Sequence, residues 1–181
     1  MKKRILLVCL AVVLLFSGCT FSFELGTPIP AEPNVLEPLT FMTPRSSVED
    51  GVTPETDEGM AYLKQWIEVE DPYMGRLNTF ALYELTDIEY SIPGTIWFIA
   101  INRLGYAVQD VSFDITLRMG NTYLLQGTSA VLSEETFGII PNHTAVPVVF
   151  SLSGAAGEYL EANRAPFTYM AMENLSYTRV G

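Results

Sequence analysis

Asp110-Val111-Ser112-Phe113-Asp114-Ile115-Thr116-Leu117-Arg118 decides the fold. Val111, Phe113, Ile115 and Leu117 alternate with Ser112, Asp114, Thr116 and Arg118, the period of a strand with one face in a core and one in water. Met119-Gly120-Asn121 is a tight turn, and Thr122–Leu132 returns as the next strand, with Gly127 marking a bulge or bend. Upstream, Thr95–Asn102 is apolar on both faces through Ile96-Trp97-Phe98-Ile99-Ala100-Ile101, so it is central or covered on its outer side. Glu84–Ile92 reads as the strand before it, closed by Pro93-Gly94. Phe137–Ile140 reads as a short strand. Ala145–Leu152 is another, and its Pro147 confines it to an edge or a strand start. Ser153–Ala165 is a small-residue loop with a helical turn at Glu158–Asn163, and Phe167–Arg179 is the last strand.

Six or seven short strands spaced by turns, with no helical crossovers, predict an all-β, immunoglobulin-like antiparallel β-sandwich over residues 80–181. Before it, residues 58–79 read as a short helix or connecting segment. Met60, Leu63 and Ile67 fall at helical spacing, and Thr53-Pro54-Glu55 has the form of a helix start: N-cap, Pro, acid. Residues 19–57 read as a disordered, Pro-rich acidic tether. It carries Pro28, Pro30, Pro33, Pro38, Pro44 and Pro54. Fully extended, such a tether reaches at most ~130 Å.

The first 18 residues have the plan of an export signal. Lys2, Lys3 and Arg4 precede the apolar run Ile5–Phe16, which is too short to span a bilayer. Leu15-Phe16-Ser17-Gly18-Cys19 then resembles the lipobox of bacterial lipoproteins, with Phe16 where Leu is most usual. The resemblance implies a diacylglyceryl group on Cys19 and cleavage between Gly18 and Cys19. The domain would then stand on the extracytoplasmic face of the cell envelope, held to the lipid bilayer through Cys19. Cys9, the other cysteine, leaves with the leader, so the mature chain has no disulfide. The net charge of −11 becomes −14 once the three leading bases are removed. A surface that acidic argues against nucleic acid as a partner.

The strand pattern carries a second resemblance. Ile96–Asn102, Val111–Leu117, Gly120, Ile139-Ile140-Pro141-Asn142 and Val146–Leu152 are similar to the FxLYD type of immunoglobulin-like domain. Ile115-Thr116-Leu117-Arg118-Met119 stands at the signature and keeps its hydrophobic skeleton, while Phe80-Ala81-Leu82-Tyr83-Glu84 resembles the motif by letter but precedes a different strand. The resemblance implies a binding or spacing module without shared catalytic residues.

No catalytic set emerges from the residues themselves. His143 is the single histidine and sits in a turn, read as an exposed, idle side chain. Zinc would need more His or Cys than the chain offers. Asp110 and Asp114 share the polar side of a strand but lie about 13 Å apart, too far for a shared metal or a retaining glycosidase pair. Glu134-Glu135 and Glu68/Glu70/Asp71 lack calcium-loop spacing, and Met170-Ala171-Met172 reads as core packing rather than a Cu(I) site. Neither metal nor cofactor is expected beyond the lipid on Cys19. Leu104, Tyr106 and Tyr159 are apolar groups in loops. They either cap the core or form an aromatic patch at one pole, and they are the candidate binding loop. The expected function is a non-enzymatic module that binds an envelope protein or an extracellular ligand. The alternatives are a carboxylate-based hydrolase and a self-associating structural spacer.

Overall fold

The alternating stretch lies inside the longest strand among the described residues and forms the middle of one sheet. The structure is a computed structural model; it describes residues 36–85, 92–163 and 165–181, all in the compact unit Val35–Gly181. The leader expected at 1–18, Cys19 and residues 20–35 lie outside the described residues. The strands are β1 Thr40–Phe41, β2 Phe80–Glu84, β3 Thr95–Asn102, β4 Ala107–Met119, β5 Thr122–Leu132, β6 Thr144–Ser151 and β7 Tyr169–Val180. The helices are α1 Arg45–Glu49, α2 Glu58–Gln65, α3 Glu134–Phe137 and α4 Gly154–Asn163, and α2 continues as a π-helical turn over Trp66–Glu70. One sheet runs β1-β6-β3-β2 and the other β5-β4-β7. Pairing is antiparallel except for the two-residue β1, which runs parallel to β6. The chain is an all-β sandwich.

Each face of β3 has its own core. Ile96, Phe98 and Ala100 point between the sheets, where they meet Val111, Phe113, Ile115 and Leu117 of β4 and Val146 and Val148 of β6. Ile99 and Ile101 point the other way, onto Met60, Leu63 and Ile67 of the α2 segment and onto Leu39 and Phe41. The apolar outer face of β3 is thus covered by a helix, and the helical triplet is the set that covers it. Fully burying an aliphatic side chain is worth about 1.5–3 kcal/mol, so this second layer is an integral part of the fold. Pro147 sits where its missing N–H costs nothing. The Ala145 carbonyl accepts from Met42 N at 2.9 Å on the side away from β3. Residue 147, two along, also turns outward, past the end of β1.

The described residues correct several expectations. The tether does not extend to residue 57. Leu39 and Phe41 are buried, Thr40 N donates to His143 O at 2.9 Å, and Leu39 N donates to Pro72 O at 2.7 Å. The domain therefore begins by Leu36, not Phe80. The helix starts at Glu58 and not at Thr53, because Asp57 is the side chain that caps it, accepting from Met60 N at 2.9 Å. Thr53–Asp57 forms a turn of its own instead. The strand placed at Glu84–Ile92 ends at Glu84 in the structure, and residues 86–91 lie outside the described residues. Phe137–Ile140 is not a strand. A Ser133-capped helical turn fills Glu134–Phe137, and Ile140 makes a single bridge to Val108. The small-residue loop contains the whole ten-residue α4. Its Gly157 packs so closely that a Cβ there would lie 2.9 Å from the Leu152 carbonyl oxygen. Gly94 N donates to Glu161 at 2.7 Å, tying α4 to the start of β3.

The opposite pole is knotted by two buried polar residues that end β3. Asn102 Nδ2 donates to the carbonyls of Tyr106, Ile140 and Pro141, and its Oδ1 accepts from Leu104 N. Arg103, 1% exposed, donates from Nε to Met74 O at 2.8 Å, from Nη1 to Glu37 O at 2.7 Å and from Nη2 to Pro72 O at 3.2 Å. Gly75, at φ +94°, passes close against it, since a Cβ would sit 3.3 Å from Arg103 Nε. Arg103→Met removes the donors and leaves the Glu37 and Met74 carbonyls unpartnered, while Pro72 O keeps the Leu39 N–H. It is expected to lower stability by at least about 3 kcal/mol and the melting temperature by roughly 10 °C. Arg103→Lys keeps the charge but not the planar fork, and recovers only part of that loss. Thermal denaturation followed by circular dichroism checks both.

Candidate functional site

The structure separates the three loop residues grouped by sequence. Leu104 and Tyr106 lie just before β4, at the Asn102–Arg103 pole. Tyr159 lies on α4, with its hydroxyl 3.7 Å from where a Gly120 Cβ would be, just past the other end of β4. A strand of 13 residues puts those ends about 40 Å apart. All three rest on the inter-sheet core as partly buried side chains. Tyr159 belongs to the closure of its pole. Leu104 and Tyr106 remain together.

Around Tyr106 the structure assembles a group of polar contacts. Its hydroxyl lies 2.8 Å from the Tyr177 hydroxyl, and the Arg179 guanidinium carbon stands 4.3 Å from its ring centroid. Tyr177 and Arg179, two apart, share one face of β7. The loop carrying Tyr106 is fixed from beneath by Asn102, through the Tyr106 carbonyl, and from the side by Asn142, whose Oδ1 accepts from Gly105 N at 3.0 Å. The Tyr177 hydroxyl is pushed above its ordinary value by its hydrogen bond to Tyr106 and by burial, with Arg179 pulling the other way.

His143, expected to be exposed and idle, is instead partnered and three-quarters buried. Its Nδ1 lies 2.8 Å from Glu37 Oε2, and its Nε2 lies 3.0 Å from Asn142 Nδ2. Because Asn142 Oδ1 is already committed to Gly105 N, the amide N–H of Asn142 faces the ring. Nε2 then accepts from Asn142, and Nδ1 faces the Glu37 carboxylate. Both ring nitrogens are engaged, and the group ties the 142–144 turn to the chain entering at Glu37.

Of the acidic residues considered as reactive groups, Glu68, Asp110, Asp114 and Glu134 have structural partners. Asp110 accepts from Glu134 N at 2.9 Å. Glu134 pairs with Arg45 at 2.7 Å, and Glu68 accepts from Phe41 N at 3.0 Å. Asp114 accepts from Ser129 Oγ at 2.6 Å and Asn174 Nδ2 at 2.7 Å, and these two bonds hold its carboxyl below the usual range. Burial pushes the Glu84 carboxyl up. Among the described residues no group of three or more His, Cys, Asp or Glu is placed to hold a metal ion, and no helix is long and apolar enough to cross a membrane. No family model, curated protein or solved structure matches the chain.

Sequence reading missed Glu37, Asn142, Tyr177 and Arg179. The i, i+2 spacing of Tyr177 and Arg179 was visible, but not the strand and loop they meet. A raised Tyr177 value means that the folded state holds the phenol proton more tightly than the unfolded chain. This stabilisation is present below the ordinary tyrosine range of about 10 and is lost as pH rises through the folded value. Tyr106→Phe removes the hydroxyl that raises it. Tyr177 is then expected to ionise at lower pH, read by tyrosinate absorbance, and an unmoved titration would contradict the pairing.

Proposed function

We propose that the chain is a membrane-anchored, extracytoplasmic lipoprotein whose sandwich is a non-enzymatic binding module of the cell envelope. It engages an envelope protein or an extracellular ligand through the pole at Tyr106. The observation that carries this reading is the fixing of Tyr106 in three directions: carbonyl to Asn102, hydroxyl to Tyr177, ring face to Arg179. An aromatic side chain held in place on a loop loses little entropy on binding, and aromatic and Arg groups dominate contact energies. Loops at the end of a sandwich are the usual place for such contacts.

The lipobox at Cys19 supports the anchor, and the corrected boundary shortens the leash. Only residues 20–35 separate Cys19 from Leu36. Fully extended they reach at most about 60 Å, half of the earlier figure. The chain enters the sandwich beside His143, at the same pole as Tyr106. The Tyr106 surface therefore works near the bilayer, where another envelope protein or a membrane-proximal ligand is within reach.

Crosslinking in intact cells tests this, with a carboxylate-directed reagent because the mature chain has a single lysine, Lys64. The tagged full chain is expected to bring down one partner in near-equal amount. Tyr106→Ala with Arg179→Ala should lose it. Because Tyr106 also rests on the core, the exposed Arg179→Ala alone should weaken capture while melting within about 3 °C of wild type, the shift of about 1 kcal/mol in a unit this size. Cys19→Ala should keep its leader by intact mass and lose the lipid. Undiminished capture by the double variant, or recovery of the chain alone, contradicts the reading.

A further inference from the structure

We propose that His143 is an acid-operated latch on the Tyr106 loop, holding Gly105 through Asn142 while its ring is neutral and releasing it when the ring takes a second proton. Control of partner capture by this latch rests on the reading of the pole as a binding site; the release of the loop does not. Four groups form one continuous line of contacts. Glu37 Oε2 lies 2.8 Å from His143 Nδ1, His143 Nε2 lies 3.0 Å from Asn142 Nδ2, and Asn142 Oδ1 accepts from Gly105 N at 3.0 Å. The line starts where the chain enters the sandwich and ends on the residue before Tyr106. While the ring is neutral, its donors and acceptors fit in one order. The Gly105 N–H only donates, so it takes the Asn142 oxygen, and the Asn142 amide is left to donate to Nε2. A carboxylate only accepts, so the single ring proton of that state sits on Nδ1, toward Glu37.

A second proton removes that order. Nε2 becomes a donor and faces the donating amide of Asn142. The ring is not free to swing away, because Nδ1 is held by Glu37 and the side chain is three-quarters buried. The Asn142 oxygen is the acceptor on the facing group, and a charge-assisted bond from the ring is roughly twice as strong as the neutral one from Gly105. The amide therefore turns over. Its N–H groups then meet the Gly105 N–H, and Gly105 loses its partner. Tyr106 keeps the bond from its carbonyl to Asn102 but loses the support beside it. Gly105 is exposed, sits at φ +88° and has nothing within 4 Å of where a Cβ would be, so no packing holds the tip once that bond is gone.

The surroundings of the ring suit a group that exchanges protons with solvent. The Glu37 side chain is 70% exposed, so water reaches the pair. Glu37 faces the ring from the entering chain, and Arg103 holds the carbonyl of that same residue from the end of β3. Asn142 and Thr144 in the ring's own turn are neutral, as is Thr40 of β1, whose N–H donates to the His143 carbonyl. On β7, Arg179 stands over the Tyr106 ring. Histidine is the side chain that ordinarily changes charge between about pH 5 and 8, and the chain has one.

The test uses the full chain in non-ionic detergent, followed by NMR from about pH 8 to about pH 5. No partner is present, so the result is independent of whether the pole binds one. With a single histidine, the ring signals belong to His143. The Gly105 amide signal is expected to move with those ring signals along one titration curve. Gly105 exchange, corrected for its intrinsic pH dependence, should be at least about threefold faster at the acid end. His143→Asn keeps a residue type that accepts the positive φ of +56° and takes no proton. Gly105 should then exchange at one corrected rate at both ends. Asn142→Asp should keep Gly105 protected in acid, because a carboxylate accepts from the charged ring and from Gly105 N–H together. A Gly105 amide that ignores the His143 titration, an acid response that survives His143→Asn, or acid release of Gly105 in Asn142→Asp would overturn the latch.

Discussion

A charged side chain with no carboxylate partner holds this structure together. The Arg103 guanidinium is buried and spreads its donors over the carbonyls of Glu37, Pro72 and Met74. Burial pulls its proton affinity down, with Tyr83 and Glu37 acting against that pull. Carbonyl dipoles are weaker partners than a carboxylate, but they belong to the backbone and fix the path of the chain. Three separate stretches, 36–38, 72–75 and the end of β3, therefore meet at one point. Asn102, its neighbour, does the same for the 104–106 loop and the 140–141 turn. The pole that carries Tyr106 is a consequence of these two side chains.

With the N-terminal segment pinned, the four-stranded sheet gains a second layer and the start of its β6 edge is covered. β1 covers the first two residues of β6, and its outward amide at Phe41 is taken by Glu68 from the π-helical turn. The three-stranded sheet treats its edges differently. β5 is bulged near Gly127, where Gly127 N donates to Thr116 Oγ1. β7 is bulged at Asn174, which sits at φ +53° and bonds Asp114. Bulged edges resist pairing with a neighbouring strand. They do here what edge lysines do elsewhere.

The sandwich was legible where side chains alone report burial. β4 alternates, β3 is apolar on both faces, Gly127 breaks a register, and Met60, Leu63 and Ile67 mark a covering helix. The N-terminal boundary was not legible, because the prolines of 28–54 argue for an open tether while the bonds that dock 36–42 are made by the backbone. Leu39-Thr40-Phe41 does alternate, but three residues are too few to stand against six prolines. α4 was hidden by its own composition, since Gly154-Ala155-Ala156-Gly157 reads as loop and packs as helix through a glycine contact. The candidate site was half legible. Tyr106 was identified, but grouping it with Tyr159 required knowing which pole each loop closes, and that depends on strand order. Tyr177, Arg179 and Asn142 reach Tyr106 across separate elements, which local pattern does not encode.

Native-state amide hydrogen exchange on the Leu39, Thr40 and Met42 N–H groups tests the central claim most directly. These amides donate to Pro72, His143 and Ala145. If the segment is part of the sandwich, they exchange with opening free energies within about 1 kcal/mol of the Val108 and Arg103 amides, in one cooperative unit. Fast exchange at 39–42 beside a protected β3 and β6 would make the segment a tether and leave Arg103 without the role assigned to it.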